Sequence, residues 1–191
     1  VLITLSLPAV SLAVTATWTG GSGNYSDVNN WDVTNVPCND GPVTYDVIIP
    51  AGTKTVTADL ALCTIETLSL GADAKILLPT GSQFTVDGTA ELEGVVDSAG
   101  GAFHSPLGNF PGTKARAASD SSGTVEIAAS SYSSTGLTYN GGYYTETFHT
   151  NLFRTEGAGS VLDLSSIASI DAGYDRNSND NNRQYIRSSG G

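Results

Sequence analysis

Three aromatic residues in a polar, turn-rich stretch are the first candidates for binding chemistry. The segment TWTGGSGNYSDVNNW, residues 17–31, contains both tryptophans of the chain, Trp18 and Trp31, together with Tyr25. Aromatic rings are apolar on their faces and can stack on sugar rings. One prediction is therefore a carbohydrate-stacking platform formed by Trp18, Tyr25 and Trp31. No ionisable residues cluster beside them, and we predict no catalytic residue there.

A run of alternating oxygen-bearing side chains near the end of the sequence is a weaker candidate, for calcium. The segment DAGYDRNSNDNN covers residues 171–182. Its candidate ligands are Asp175, Asn177, Asn179 and Asn181. The alternation resembles the first ligands of a hand-type loop, but Asp180 replaces the required glycine and Ile186 the required glutamate. We expect a hydrated loop with at most weak calcium affinity, and no resident cofactor.

Carboxylates could perform acid-assisted cleavage of a polysaccharide if two of them flanked the bond. The candidates are Glu66, Asp73, Asp87, Glu91, Glu93 and Asp97. Outward-facing carboxylates are ordinarily solvated side chains, so we predict none of them to be catalytic. His104 and His149 have no acid-His or Cys-His pattern nearby and are expected to be surface or turn residues.

The two cysteines, Cys38 and Cys63, are either bridged or both reduced. A bridge would close a loop of about two dozen residues and stabilise the fold by roughly 3 kcal/mol. The first residues, VLITLSLPAVSLA, favour the bridge, because their apolar run and the small residues before position 14 resemble the end of a secretory signal peptide. The alternative is a genuine first strand, LITLSL. We predict a secreted or cell-surface location, and the run is too short for a membrane span.

Composition and charge restrict the partners. The net charge is −11 and charged residues make up only 14% of the chain, whereas glycine alone contributes 22 residues. Nucleic acid requires clustered Lys and Arg, so we exclude it as a partner. Extracellular polysaccharide or another surface protein is the expected partner.

Short β-like runs must position these residues. Examples are YDVIIP (45–50), KTVTADL (54–60), IETLSLG (65–71), AKILLPTG (74–81), QFTVDG (83–88) and AELEGVVD (90–97). Apolar residues alternate within each run, and turn residues separate the runs. This pattern is common to sandwiches, barrels and solenoids.

A repeat in the second half favours a solenoid. The segments SGTVEIAASSY (122–132) and AGSVLDLSSIASI (158–170) align on Gly123 and Gly159, an offset of 36 residues. The closing RSSGG resembles the lead-in to a further copy. Repeats too small to bury their own core must stack on one another. We predict an all-β, right-handed parallel β-helix, N-terminally capped, and a fragment of a longer array.

The segment 17–31, with the following VPCND, YDVIIPAGTKTVT and GSQFTVDGTAEL, resembles the N-terminal part of secreted bacterial β-helix proteins of the surface and autotransporter-like adhesin type. The resemblance implies a parallel β-helix and no particular activity. In such a fold, Trp18 and Trp31 would lie over the open end of the first coil, which is the alternative to the stacking platform.

The expected organisation is a signal remnant (1–13), an N-terminal cap (14–45), first coils (46–97), a long loop (98–123) and further coils (124–191). The expected function is a non-catalytic, structural or adhesive solenoid. The alternative is a polysaccharide-active lyase or hydrolase, or its carbohydrate-binding appendage. A β-sandwich binding module is a third option.

Overall fold

A computed structural model describes residues 12–109, 116–120, 124–127, 131–133, 149–156, 158, 161–164, 169–171 and 183–189. Strands are numbered along the chain. The first sheet contains β1 (Leu12–Thr17), β3 (Val43–Ile49), β6 (Thr67–Leu70), β9 (Thr89–Leu92) and β12 (Leu107–Asn109). The second sheet contains β2 (Gly23–Asn24), β4 (Lys54–Thr57), β7 (Ala74–Pro79), β10 (Val95–Ala99), β13 (Arg116–Asp120), β16 (His149–Glu156) and β19 (Arg183–Ser189).

The third sheet contains β5 (Cys63–Ile65), β8 (Gln83–Val86), β11 (Ala102–Ser105), β14 (Thr124–Ile127) and β17 (Val161–Asp163). A small two-stranded sheet contains β15 (Ser131–Ser133) and β18 (Ser169–Asp171). The only described helical turn is a 3-10 turn at Val28–Asn30. No helix in these ranges has the length and apolarity needed to cross a membrane.

The chain visits the three sheets in a fixed order and pairs each strand in parallel with its counterpart one coil later. Asp46 pairs with Thr67, Lys54 with Ala74 and Cys63 with Phe84, which are steps of 20 or 21 residues. Such stacking satisfies the backbone of each coil with that of the next. The predicted all-β parallel solenoid is confirmed.

The core is built from rows of inward side chains, one residue per coil. In the third sheet, the row starts at Cys63 and contains Phe84, Phe103, Val125 and Leu162. The first four of these residues are at most 1% exposed. Because strand side chains alternate between faces, every second residue contributes to the core. Each fully buried large apolar residue stabilises the fold by about 1.5–3 kcal/mol.

Glycine makes the corner between the first and second sheets possible in the fourth coil. A Cβ at Gly94 would overlap the carbonyl oxygen of Ala74 on the preceding coil. For this reason the run AELEGVVD, predicted as one strand, is two strands, β9 and β10, on either side of Gly94.

The predicted long loop at 98–123 is wrong for the part that the structure describes. This stretch contains the end of β10, then β11 and β12, and β13 follows at Arg116–Asp120. The strands escape a hydrophobic pattern because Ser98 and Ser105 face the core. Their hydroxyls donate to the carbonyl oxygens of Gly101 and Leu107 in the same coil.

The repeat in the second half corresponds to stacked coils, but its register differs by one residue from the sequence alignment. Val125 pairs with Leu162, and Val161, its partner in the alignment, is 45% exposed. A one-residue slip in a strand exchanges its inward and outward side chains. The true step between β14 and β17 is therefore 37 residues, as Thr124 pairs with Val161.

The N-terminal boundaries also differ in part from those predicted. β1 starts at Leu12, within the predicted signal remnant, and Leu12 and Ala13 pair with Val43 and Thr44. The predicted cap, 14–45, contains β2 and most of β1, which are the first strands of two sheets. Part of this segment is therefore itself a coil.

Candidate functional site

The aromatic residues of the opening segment form a buried cluster. Trp18 and Trp31 meet edge to face with ring centroids 5.0 Å apart, and Tyr25 meets Trp31 in the same manner at 4.7 Å. An antiparallel bridge between Trp18 and Trp31 brings the two ends of the segment together. Such pairs contribute about 0.5–1.5 kcal/mol each beyond the area they bury.

Each polar atom of this cluster has a hydrogen-bond partner within the same segment. The indole N–H of Trp18 donates to the carbonyl oxygen of Gly21, and that of Trp31 donates to the carbonyl oxygen of Tyr25, both at 2.9 Å. The phenol of Tyr25 donates to the carbonyl oxygen of Pro37 at 2.6 Å. Burial, and to a smaller extent Tyr45, raises the pKa of Tyr25 well above its ordinary value.

These three rings do not form a sugar-binding platform. Trp18 is 2% exposed, Tyr25 0% and Trp31 5%, so none offers a face on which a sugar could stack. They belong to the same apolar core as the coils. The carbohydrate-stacking prediction is therefore corrected: the rings are hydrophobic enough to be consumed by the core.

Carboxylates cover backbone groups at this end of the molecule. Asp32 accepts a hydrogen bond from the N–H of Thr17 at 2.6 Å, on the edge of β1 that faces away from β3. Asp27 accepts from the N–H of Asn29 and caps the 3-10 turn. Asp59, in the second coil, accepts from the hydroxyl of Ser26 at 2.6 Å. Their arrangement satisfies donors and leaves the aromatic cluster closed.

The predicted disulfide between Cys38 and Cys63 is confirmed. Their Cα atoms are 5.2 Å apart and 25 positions separate them in the chain. Cys63 is buried at the start of the third-sheet core row, and its neighbour along the chain, Thr64, accepts a backbone hydrogen bond from Asn39. The bridge thus fixes the segment that follows the aromatic cluster to the second coil.

The candidate carboxylates do not converge as a catalytic pair. Asp87 and Asp73 are exposed at turns, and Glu91 lies on the outer side of the first sheet, opposite Ser69. Asp97 instead lies on the second sheet, where its Oδ2 is 2.8 Å from the Nζ of Lys75 on the neighbouring strand. The other oxygen of Asp97 is buried without a hydrogen-bond partner.

One row of ionisable residues was missed from the sequence. On the outer side of the third sheet, His104, Glu126 and Asp163 occupy the same position on three successive coils. The Nδ1 of His104 is 3.3 Å from a carboxylate oxygen of Glu126, and both side chains are half exposed. A coil step of about 20 residues would have revealed the first two members; the offset of 36 residues concealed them.

A shallow depression of about 240 Å³ lies at the N-terminal end of the second sheet. Its polar lining comes from Ser22, Thr53, Lys54, Thr55, Asp73 and Lys75. The Nζ of Lys54 donates to the carbonyl oxygen of Pro50 at 3.0 Å, and the hydroxyl of Ser22 accepts from the N–H of Thr55 at 2.9 Å. Two ammonium groups and three hydroxyls suit an anionic, hydroxyl-bearing ligand.

The predicted calcium ligands, Asp175, Asn177, Asn179 and Asn181, lie outside the described residues. His149 is the first residue of β16, at the register position of Arg183. Within the described part of the chain, no three His, Cys, Asp or Glu residues are grouped as metal ligands.

Comparison with known proteins gives no relative. No protein family, no curated protein and no solved structure matches the chain.

Proposed function

We propose that the chain is a non-catalytic, extracellular β-solenoid with a structural or adhesive role in a secreted or cell-surface protein. The observation that carries the proposal is the buried aromatic cluster fixed by the disulfide. Disulfides persist mainly in oxidising compartments, outside the cytosol. The cluster closes one end of a stacked fold, which is what an extended stalk requires to avoid end-to-end aggregation.

The core supports a mechanical role. The inward rows pass through successive coils without interruption, so load applied along the solenoid is shared by parallel hydrogen-bond ladders in three sheets. The resemblance to secreted bacterial β-helix adhesins points in the same direction. In this proposal the outer faces of the sheets are the adhesive surfaces.

Surface labelling in the native organism tests the location. Intact cells are treated with a membrane-impermeant biotin reagent, and the protein is recovered with an antibody against the chain. We expect labelled protein with an oxidised Cys38–Cys63 pair. Recovery only from the cytosolic fraction, with both thiols free, would overturn the proposal.

A second function, polysaccharide cleavage, is favoured by one observation: His104, Glu126 and Asp163 share a row on adjacent coils. Carboxylates facing one another across a bond are the usual machinery of such enzymes. The test is to incubate the protein with polygalacturonate, xylan and peptidoglycan and to measure new reducing ends. Turnover that is lost in His104→Gln with Glu126→Gln, but kept in Asp87→Asn, would establish an enzyme and reject the non-catalytic proposal.

A further inference from the structure

The basic residues of this acidic chain are concentrated on one sheet. Six of the eight Lys and Arg residues lie in strands of the second sheet: Lys54, Lys75, Arg116, Arg154, Arg183 and Arg187. Only three of the nineteen acidic residues lie in strands of this sheet: Asp97, Asp120 and Glu156. The second sheet is therefore net positive in a chain whose net charge is −11.

The register places these residues in two neighbouring rows that follow the solenoid axis. One row contains Thr55, Lys75, Val95 and Arg116. The other contains Thr57, Leu77, Asp97, Ala118, Arg154 and Arg187. Both rows alternate with the buried row of Val56, Ile76 and Val96, so they hold the outward positions of the sheet.

The shallow depression between β4 and β7 continues the first of these rows at its N-terminal end. It contains Lys54 and Lys75, with hydroxyls from Ser22, Thr53 and Thr55 around them. Lys54 contacts carbonyl oxygens, which leave its charge uncompensated, whereas Lys75 shares its charge with Asp97. Cationic positions thus extend from this depression along the sheet to β19.

We propose that the outer face of the second sheet binds an anionic polysaccharide that lies along the solenoid, across the strands. The inference rests on the adhesive function proposed above and names its ligand. Neighbouring strands are about 4.8 Å apart, so a cation on successive coils meets a polymer that bears one carboxylate on each sugar. The hydroxyls around the depression match the hydroxyl groups of such a chain.

Charge density favours an acidic polysaccharide over nucleic acid. The same face contains Asp97, Asp120 and Glu156, and the whole chain is strongly negative. A phosphodiester backbone with a charge at every phosphate would be repelled by these groups, because its binding depends on many uncompensated Lys and Arg contacts. A uronate polymer is less densely charged and contributes hydroxyls for hydrogen bonding.

Binding of fluorescent polygalacturonate to the purified full chain tests this proposal. The variant is Arg154→Gln with Arg187→Gln, two residues that are register partners on β16 and β19. We expect affinity to fall about tenfold, because each exposed ionic contact contributes a few-fold. The matched control is Lys114→Gln with Arg176→Gln, which changes the net charge equally outside the described strands and should keep affinity within about twofold.

Three results would overturn the proposal. The first is an equal loss of affinity in both double variants, which would mean that net charge alone is responsible. The second is a failure of the wild-type chain to bind polygalacturonate, or binding that does not weaken between about 50 and 200 mM salt. The third is equal or tighter binding of double-stranded DNA or poly-glutamate. Since surface labelling tests the location independently, failure here would leave the extracellular assignment standing.

Discussion

The ring of Tyr25 packs edge to face against the ring of Phe84, with centroids 5.2 Å apart, although Phe84 lies in the third coil. The intervening residue of the third-sheet row is Cys63, which is small and is drawn toward Cys38 by the disulfide. Phe84 in turn stacks on Phe103, at 6.2 Å. The N-terminal cluster is therefore continuous with the core, and we expect it to unfold together with the first coils.

Removing the phenol of Tyr25 should destabilise the whole described N-terminal half. Tyr25→Phe keeps the ring but leaves the buried carbonyl oxygen of Pro37 without its donor, which costs about 1–2 kcal/mol. Urea unfolding followed by tryptophan fluorescence measures the loss. Thr34→Ala, at an exposed position, is the control and should change the unfolding free energy by less than about 0.5 kcal/mol. Identical midpoints for the two variants would refute this role of Tyr25.

The disulfide should stabilise the fold by about 3 kcal/mol through the unfolded state. Cys38→Ala with Cys63→Ala, or reduction of the wild-type chain, should lower the urea midpoint correspondingly. The double variant should no longer respond to reductant, which distinguishes the bridge from other effects of the reagent. A wild-type midpoint that is the same with and without reductant would contradict the prediction.

Gly94 should be far less replaceable than Gly21. A Cβ at Gly94 meets carbonyl oxygens of the preceding coil, so Gly94→Ala forces the two coils apart and should cost about 1–3 kcal/mol. A Cβ at Gly21 meets no atom within 4 Å, and Gly21→Ala should be neutral within about 0.5 kcal/mol. Thermal unfolding of the pair measures the difference, and equal melting temperatures would be evidence against the tight corner.

Alkaline pH should destabilise the fold through Tyr25. Its pKa is higher in the folded than in the unfolded state, where it is about 10, so the folded state holds the proton more tightly. This contribution to stability is fully present below pH 10 and is lost as pH rises from there toward the folded pKa. Urea unfolding at pH 8 to 11 should show a decline that Tyr25→Phe reduces. An unchanged decline in the variant would exclude Tyr25 as its source.

Local patterns predicted the strands well, since apolar alternation at Tyr45–Pro50 and Gln83–Gly88 coincides with β3 and β8. The coil length was not predicted, because a corner such as Gly94 takes one or two residues and merges two strands into one apparent run. β11 was missed for another reason: its inward Ser105 is stabilised by a hydrogen bond that hydropathy does not register.

The candidate sites show the same division. The pairing of Cys38 with Cys63 follows from there being only two cysteines, whereas Trp18 and Trp31 could be assigned to the core or to a ligand only once their burial was known. The basic face of the second sheet depends on register. Arg154 and Arg187 are 33 positions apart in the chain, and only the pairing of β16 with β19 makes them neighbours.

The connections between strands have a consequence for how this architecture can diversify. β6 and β7 are joined by three residues, 71–73, whereas 15 residues separate β15 from β16 and 11 separate β18 from β19. Despite these lengths, β16 pairs in parallel with both β13 and β19. Sequence can thus be inserted or exchanged at this corner without disturbing the ladder, which makes it the natural place for evolution, or for an engineer, to graft a new recognition loop onto an unchanged scaffold.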